Sequence, residues 1–152
     1  MASGMTYQEQ TTLTTVAARL AIGDLTARYN RALEVGDLDT WIGTFVQEGV
    51  LEEPGVRSFS GHRELAKYFR AAPPGRAYVT TDAQVEVDGV HARQECRFLV
   101  LAPGANGDPE GAGTAPVVEA VGRYRDTLIH ERGRWYFSRR EMVADLVPGS
   151  WA

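Results

Sequence analysis

The feature that most constrains this chain is a change of hydrophobic period at Pro73-Pro74-Gly75. Before it, apolar residues recur at helical steps of three and four; after it, they alternate along long segments. From about Thr12 to Val35, Ala18, Ile22, Leu25, Tyr29, Ala32 and Leu33 make one apolar stripe. Leu13, Val16 and Leu20 make a second stripe on nearly the opposite side, so this helix is expected to be covered on two sides early and on one side later. Gly36 ends it, and Asp37 is placed to cap a short second helix carrying Leu38, Trp41, Ile42 and Phe45. Val50 to Glu53 reads as a short strand stopped by Pro54-Gly55. A third helix, His62 to Arg70, follows Ser60-Gly61.

Beyond the prolines, Tyr78 to Val87 and His91 to Leu101 flank Asp88-Gly89, a strong hairpin signal. Residues 103–115 are rich in glycine and proline and read as a mobile loop. Val117 to Ile129 and Trp135 to Val143 are two further strands, joined by a turn at 131–134. Helices followed by an antiparallel meander give an α+β class. A strongly curved sheet wrapped on a long helix encloses a cavity, and concave apolar sites are where small molecules bind. One domain over residues 11–147 is expected, with 1–10 as a frayed N-terminal tail and 148–152 as a C-terminal one.

Composition excludes several functions. The net charge is −4 and the one basic doublet is Arg139-Arg140, which leaves no basic face for nucleic acid. No run approaches the roughly 18 apolar residues of a membrane span. A single cysteine, Cys96, allows no internal disulfide and suits a reducing cytoplasm. His62, His91 and His130 lie at a helix start or beside turns and are expected to be exposed. They form no pair at ligand spacing, so no metal site is expected, nor a histidine-based nucleophile.

The informative residues are polar ones on apolar faces. Asp126 shares its face with Val118, Ala120, Gly122, Tyr124 and Leu128, so it is a lone carboxylate pointing inward. It either pairs with an arginine, caps a turn or takes up a proton. Glu53 shares the face of Leu51, or is simply a strand-end glutamate. Cys96 lines up with Gln94 and Phe98 and reads as an inert small hydrophobe of a pocket wall. Arg139, on the face of Trp135 and Phe137, either reaches the pocket or pairs with a neighbour. Tyr29 sits in the middle of the long helix's stripe, and a buried tyrosine hydroxyl usually seeks a partner. Glu34 falls off that stripe, as a solvated helix end does.

Several segments carry a family resemblance. They are Ala27-Arg28-Tyr29-Asn30-Arg31-Ala32-Leu33-Glu34-Val35-Gly36-Asp37-Leu38-Asp39, Leu51-Glu52-Glu53-Pro54, Ser60-Gly61-His62-Arg63-Glu64-Leu65 and Val85-Glu86-Val87-Asp88-Gly89, then Gly122-Arg123-Tyr124-Arg125-Asp126 and Gly133-Arg134-Trp135-Tyr136-Phe137. Together they resemble SnoaL-like and ketosteroid-isomerase-like proteins over nearly the whole chain. The resemblance implies the cone-shaped nuclear-transport-factor-2-like (NTF2-like, cystatin-like) fold: a curved antiparallel sheet on a long N-terminal helix, with two shorter helices. It also implies a homodimer formed through the outer sheet face.

Two templates follow from the resemblance. In the ketosteroid-isomerase-like one, Tyr29 and a neutral Asp126 hold an oxyanion and Glu53 moves the proton; that enzyme is a standard example of pKa tuning. In the scytalone-dehydratase-like one, Glu34 takes the place of an aspartate and Tyr78 that of a histidine, with Tyr29 and Arg139 in support. Either template implies a cofactor-independent isomerase or lyase acting on a small hydrophobic cyclic, polyketide or terpenoid-like molecule. Glu53 or Glu34 is then the base, and Trp41, Phe45, Tyr78, Cys96, Phe98 and Arg139 are substrate contacts. The alternatives are a non-catalytic binding or assembly module of the same fold, or epoxide hydrolysis by a carboxylate–arginine–carboxylate set around Asp126 and Arg139.

Overall fold

A computed structural model describes residues 3–104 and 115–146; most of the 103–115 loop and the 148–152 tail lie outside the described residues. The element order is α1 (Tyr7–Val35), α2 (Leu38–Ile42), β1 (Phe45–Glu53), β2 (Arg57–Ser60), α3 (Gly61–Ala71), β3 (Ala77–Asp88), β4 (His91–Ala102), β5 (Val117–Glu131) and β6 (Arg134–Leu146). The strands form one six-stranded sheet in the order β2-β1-β6-β5-β4-β3. This is the expected α+β class, three helices against a curved sheet. The sheet is not wholly antiparallel, because β1 runs parallel to β6.

α1 starts five residues before the hydrophobic period becomes visible. Thr6 and Glu9 form a reciprocal capping box: the Glu9 amide donates to Thr6 Oγ1 at 3.2 Å and the Thr6 amide to Glu9 Oε2 at 2.8 Å. Residues 7–10 are therefore helical rather than a frayed tail. The helix stops at Gly36, whose φ of 75° is a left-handed conformation that glycine adopts without strain.

Two elements differ from the sequence reading. Phe45 opens β1 instead of closing α2, because α2 is only five residues long and Thr44 folds its hydroxyl back onto the Trp41 carbonyl at 2.6 Å. β2 was unexpected. Gly55, with φ 76°, and the Val56 amide bonded to the Glu53 carbonyl at 2.9 Å turn the chain straight back into a partner strand for β1.

The core lies between the concave face of the sheet and the inner stripe of α1. Ile22, Leu25, Leu51, Leu65 and Leu128 are fully buried there, each stabilising the fold by roughly 1.5–3 kcal/mol relative to exposure. Polar contacts fix the helix over the sheet. Asn30 Nδ2 donates to Thr80 Oγ1 at 3.1 Å, and the Tyr78 amide donates to Glu34 Oε1 at 2.8 Å. Bulges bend the sheet. One at Asp82, φ 55°, interrupts β3, and another at Ser138 adds a residue to β6 opposite Thr127 and Leu128.

Candidate functional site

The polar groups that the fold encloses gather within one aromatic chamber, a closely packed part of the buried core. Tyr29, from the middle of α1, stands at its centre. Its ring lies 5.4 Å from Trp41, 6.0 Å from Phe45, 5.8 Å from Phe137 and 6.1 Å from Tyr124, measured between centroids. Trp41 stacks on Tyr68 of α3 at 5.8 Å, and Phe98 packs on Tyr124 at 4.6 Å. Toward the C-terminal end of α1 the lining is less completely covered. Tyr78, Val100 and Ala120, aligned across β3, β4 and β5, are half-buried there, as are Tyr68 and Phe69.

Arg140 enters this chamber from β6 and is completely buried. Its guanidinium carbon lies 3.7 Å from the Tyr124 ring centroid, 4.3 Å from Phe137 and 4.4 Å from Tyr29, a three-sided aromatic cage that favours a cation. Its charge is balanced by Asp126: Nε donates to Oδ1 at 2.8 Å and Nη2 to Oδ2 at 3.0 Å. Burial works against the guanidinium charge, but the Asp126 carboxylate beside it more than compensates, so the arginine stays firmly protonated. The network runs on through Gln94, whose Nε2 donates to Asp126 Oδ2 at 2.9 Å and to Thr26 Oγ1 at 3.0 Å. The Thr26 hydroxyl then donates to the Ile22 carbonyl at 3.0 Å. Three strands and α1 are thereby tied together through one buried polar chain.

Three donors in the chamber make no well-formed hydrogen bond among the described residues: the Tyr29 hydroxyl, Trp41 Nε1 and Arg140 Nη1, although the Trp41 side chain lies close enough to the Tyr29 phenol, and Arg140 to the Cys96 thiol, to favour their ionised forms. Two of these groups can only donate. Burial, reinforced by Tyr124, holds the Tyr29 phenol well above its ordinary pKa, so it too is present as O–H. Burial raises Tyr68 and Tyr124 in the same way. Orphaned buried polar atoms are rare in folded proteins. A group of orphaned donors in one apolar chamber is complementary to an acceptor oxygen.

The residues singled out in the sequence divide as follows. Tyr29, Trp41, Phe45, Cys96 and Phe98 are chamber residues, and Tyr78 stands at its less covered end. Cys96 is buried, and that burial pushes its thiol up to about 11, so it is a wall residue and not a nucleophile. Asp126 points inward as its face predicts, but it is the partner of Arg140. All its protein donors are N–H groups, so it is the acceptor in this network and not a neutral acid donating to an oxyanion. Arg139 is on the outer face of the sheet, between Glu52 and Glu141, because the Ser138 bulge reverses the alternation of β6. The carboxylate–arginine–carboxylate set needed for epoxide hydrolysis is thus outside the chamber at Arg139, and inside it Arg140 has a single carboxylate.

Glu34 is exposed and serves as an acceptor for the backbone of β3. Glu53 lies at the rim, at the end of β1 on the face of Leu51. Arg57 donates to its Oε1 through Nε and Nη2, at 3.1 and 2.7 Å, while stacking over Phe59 and Tyr68. Glu53 Oε2 has no protein donor among the described residues. His62 and His130 are half-buried rather than exposed: His62 reaches the Phe45 carbonyl at 3.2 Å and His130 stacks on Trp135. Among the described residues no group of three or more His, Cys, Asp or Glu is placed to hold a metal ion, and no helix is long and apolar enough to cross a membrane.

A model of the SnoaL-like domain matches residues 14–141. Solved structures share the architecture. A cystatin-fold, NTF2-like protein from Novosphingobium aromaticivorans superposes with a TM-score of 0.80 at 22% identity, over 97% of this chain and 95% of its own. A protein of unknown function from Mycobacterium tuberculosis is 26% identical with a TM-score of 0.75, over 96% of this chain and 80% of its own. A proposed scytalone dehydratase from Novosphingobium aromaticivorans has a TM-score of 0.75 at 17% identity, over 89% of each chain. No curated protein sequence matches this chain.

Proposed function

The chain belongs to the SnoaL-like family, and on that premise we propose that its aromatic chamber takes a small, largely apolar cyclic molecule by an acceptor oxygen and catalyses cofactor-independent isomerisation or dehydration of it. The observation that carries this reading is a set of buried donors without a well-formed hydrogen bond, Tyr29 Oη, Trp41 Nε1 and Arg140 Nη1, inside a largely aromatic lining. Apolar surface supplies the affinity of such a pocket, and a few convergent polar groups fix the orientation.

The chemistry follows from those donors. A carbonyl oxygen received by Tyr29 is polarised, and the neighbouring C–H bond becomes acidic. A carboxylate at the rim takes that proton, and the electron pair moves onto the oxygen, where the buried donors meet the growing charge. Donors preorganised in this way contribute a few kcal/mol each. For isomerisation, the new carboxylic acid returns the proton at the far end of the conjugated system. For dehydration, the electron pair expels a β-hydroxyl group, which leaves as water with that proton. Glu53, with Oε2 unoccupied and on the inner face of β1, is the better base. Glu34 is engaged by the Tyr78 amide.

The test combines binding and turnover. Binding of 2-naphthol, a flat apolar molecule with one oxygen, is measured by fluorescence for the wild type and Tyr29→Phe. Turnover of a β,γ-unsaturated cyclic ketone is measured for the wild type, Glu53→Gln and Glu34→Gln. The expected result is about tenfold weaker binding in Tyr29→Phe and a selective loss of turnover in Glu53→Gln. Binding that does not depend on Tyr29 overturns the donor assignment. Tyr29-dependent binding together with turnover of neither the ketone nor its β-hydroxyketone analogue points to the second reading, a non-catalytic binding module. The internal satisfaction of Asp126 by Arg140 and Gln94 favours that reading, since it leaves Glu53 at the rim as the base without a second acid inside the chamber.

A further inference from the structure

Tyr29 and Trp41, at the centre of the closely packed chamber, are each 0% exposed. A ligand reaches them only if one of the walls gives way, and the walls are not equally held. α1 is tied to the sheet through Asn30 and Thr80, through Glu34 and the Tyr78 amide, and through Thr26 and Gln94. The strands are bound by their own ladders. α3 is held differently. It covers Trp41, with the Tyr68 ring stacked on the indole at 5.8 Å and the Phe69 ring at 5.4 Å. Of its eleven residues only Leu65 and Ala66 are buried, and Ser60 makes no side-chain capping bond at its start. Its one ion pair, Lys67 with Glu64, lies within the helix, and among the described residues no ion pair joins it to another element. The Tyr68 hydroxyl donates to Met142 Sδ at 3.7 Å, and a thioether is a weak acceptor. His62, which reaches the Phe45 carbonyl, stands in the first turn, at the end where the helix is attached.

The two attachments carry residues that can absorb a change of backbone angle. Gly61 opens α3 at φ 80°, and Gly75, at φ 77°, follows the prolines that stop it. Arg76 fixes this second attachment. Its Nη1 donates to the Pro74 carbonyl at 3.1 Å, while Nε and Nη2 donate to Glu119 Oε2 and Oε1 on β5 at 3.0 and 2.9 Å. We propose that α3 is the gate of the chamber, turning on Gly61 and Gly75 to lift Tyr68 and Phe69 off Trp41, with the Arg76–Glu119 ion pair as its latch. The gate rests on the reading of the chamber as a ligand site. Tyr68 connects the two parts of that site: its ring stacks on Trp41 and lies under the Arg57 guanidinium, which holds Glu53. Moving it joins the central donors to the rim carboxylate.

Hydrogen exchange followed by mass spectrometry on the whole chain reads the opening without a ligand. In the wild type the amides of α3 are expected to exchange at least about a hundredfold faster than those of residues 22–30 in α1. Glu119→Ala is expected to speed α3 exchange by about two- to fivefold more, the worth of a partly exposed ion pair. Glu95→Ala breaks ion pairs elsewhere on the sheet and is expected to leave α3 unchanged. In stopped-flow fluorescence, 2-naphthol is expected to enter and leave Glu119→Ala about two- to fivefold faster than the wild type, with little change in Kd. Wild-type α3 amides as slow as those of α1 overturn the proposal, since the helix then opens only with the whole fold. Equal acceleration by Glu119→Ala and Glu95→Ala overturns it too, because exchange then follows overall stability. Naphthol rates unchanged in Glu119→Ala overturn the latch. A wild type that binds no 2-naphthol while α3 exchanges fast overturns the ligand-site reading of the chamber and upholds the opening of α3.

Discussion

Replacing Asp126 by asparagine tests the central claim about the chamber, that it holds a charged pair and not a neutral acid. The change keeps size and shape and leaves one oxygen able to accept from Arg140. What it removes is the negative charge opposite a guanidinium whose side chain is 0% exposed. A buried cation stripped of its partner costs about 3–5 kcal/mol. The aromatic cage surrounds the arginine before and after the change, so it cancels from the difference. The expected loss is therefore about 3–5 kcal/mol. For a chain of this length each kcal/mol lowers Tm by roughly 2–4 °C, so the melting point should fall by about 6–20 °C. Urea unfolding at pH 7 gives the same quantity with an independent slope. The double variant Asp126→Asn/Arg140→Met removes the stranded charge and should be more stable than Asp126→Asn alone. If Asp126→Asn is within about 0.5 kcal/mol of the wild type, or the double variant shows no recovery, then Asp126 is not carrying the countercharge and the ion-pair reading fails.

Three further outcomes follow from the geometry. Cys96 has its thiol raised to about 11 from 9.0 by burial, so its contribution to stability is complete below pH 9 and lost between pH 9 and about 11; Cys96→Ala should flatten that part of the stability curve by roughly 2–3 kcal/mol in urea titrations. Gly122→Ala should destabilise by about 1–3 kcal/mol in the same assay, since an added Cβ would stand 2.3 Å from the Val143 carbonyl oxygen and 2.7 Å from the Phe98 ring. Glu34→Ala should cost about 1 kcal/mol by freeing the Tyr78 amide, whereas Glu34→Gln keeps an acceptor there and should be nearly neutral.

The fold was legible because its signals are periodic: the inner stripe of α1 and the alternation along β4 and β5 place Tyr29, Cys96, Phe98 and Asp126 on the faces where they are found. Where the reading failed, the cause was a local departure from period. Counting back from the 131–134 turn without interruption sets Asp126 opposite Arg139 and points Arg139 inward. The extra residue at Ser138 moves the register by one, sets Asp126 opposite Arg140, and reverses which arginine is buried. No residue in Tyr136-Phe137-Ser138-Arg139 announces a bulge, since neither glycine nor proline is present. The signal lies in the charge pattern instead. An inward carboxylate requires a buried cation, and the doublet Arg139-Arg140 offers one of each parity, so only a register error of one separates the two assignments. The start of α1 was missed for a different reason. Its first turns touch little of the core, so their burial pattern is silent, and the signal was Thr6 and Glu9 at capping-box spacing. Leu13, Val16 and Leu20 make a second apolar stripe in the sequence, and the described fold supplies no cover for them, because the first turns of α1 extend beyond the sheet that buries the inner stripe.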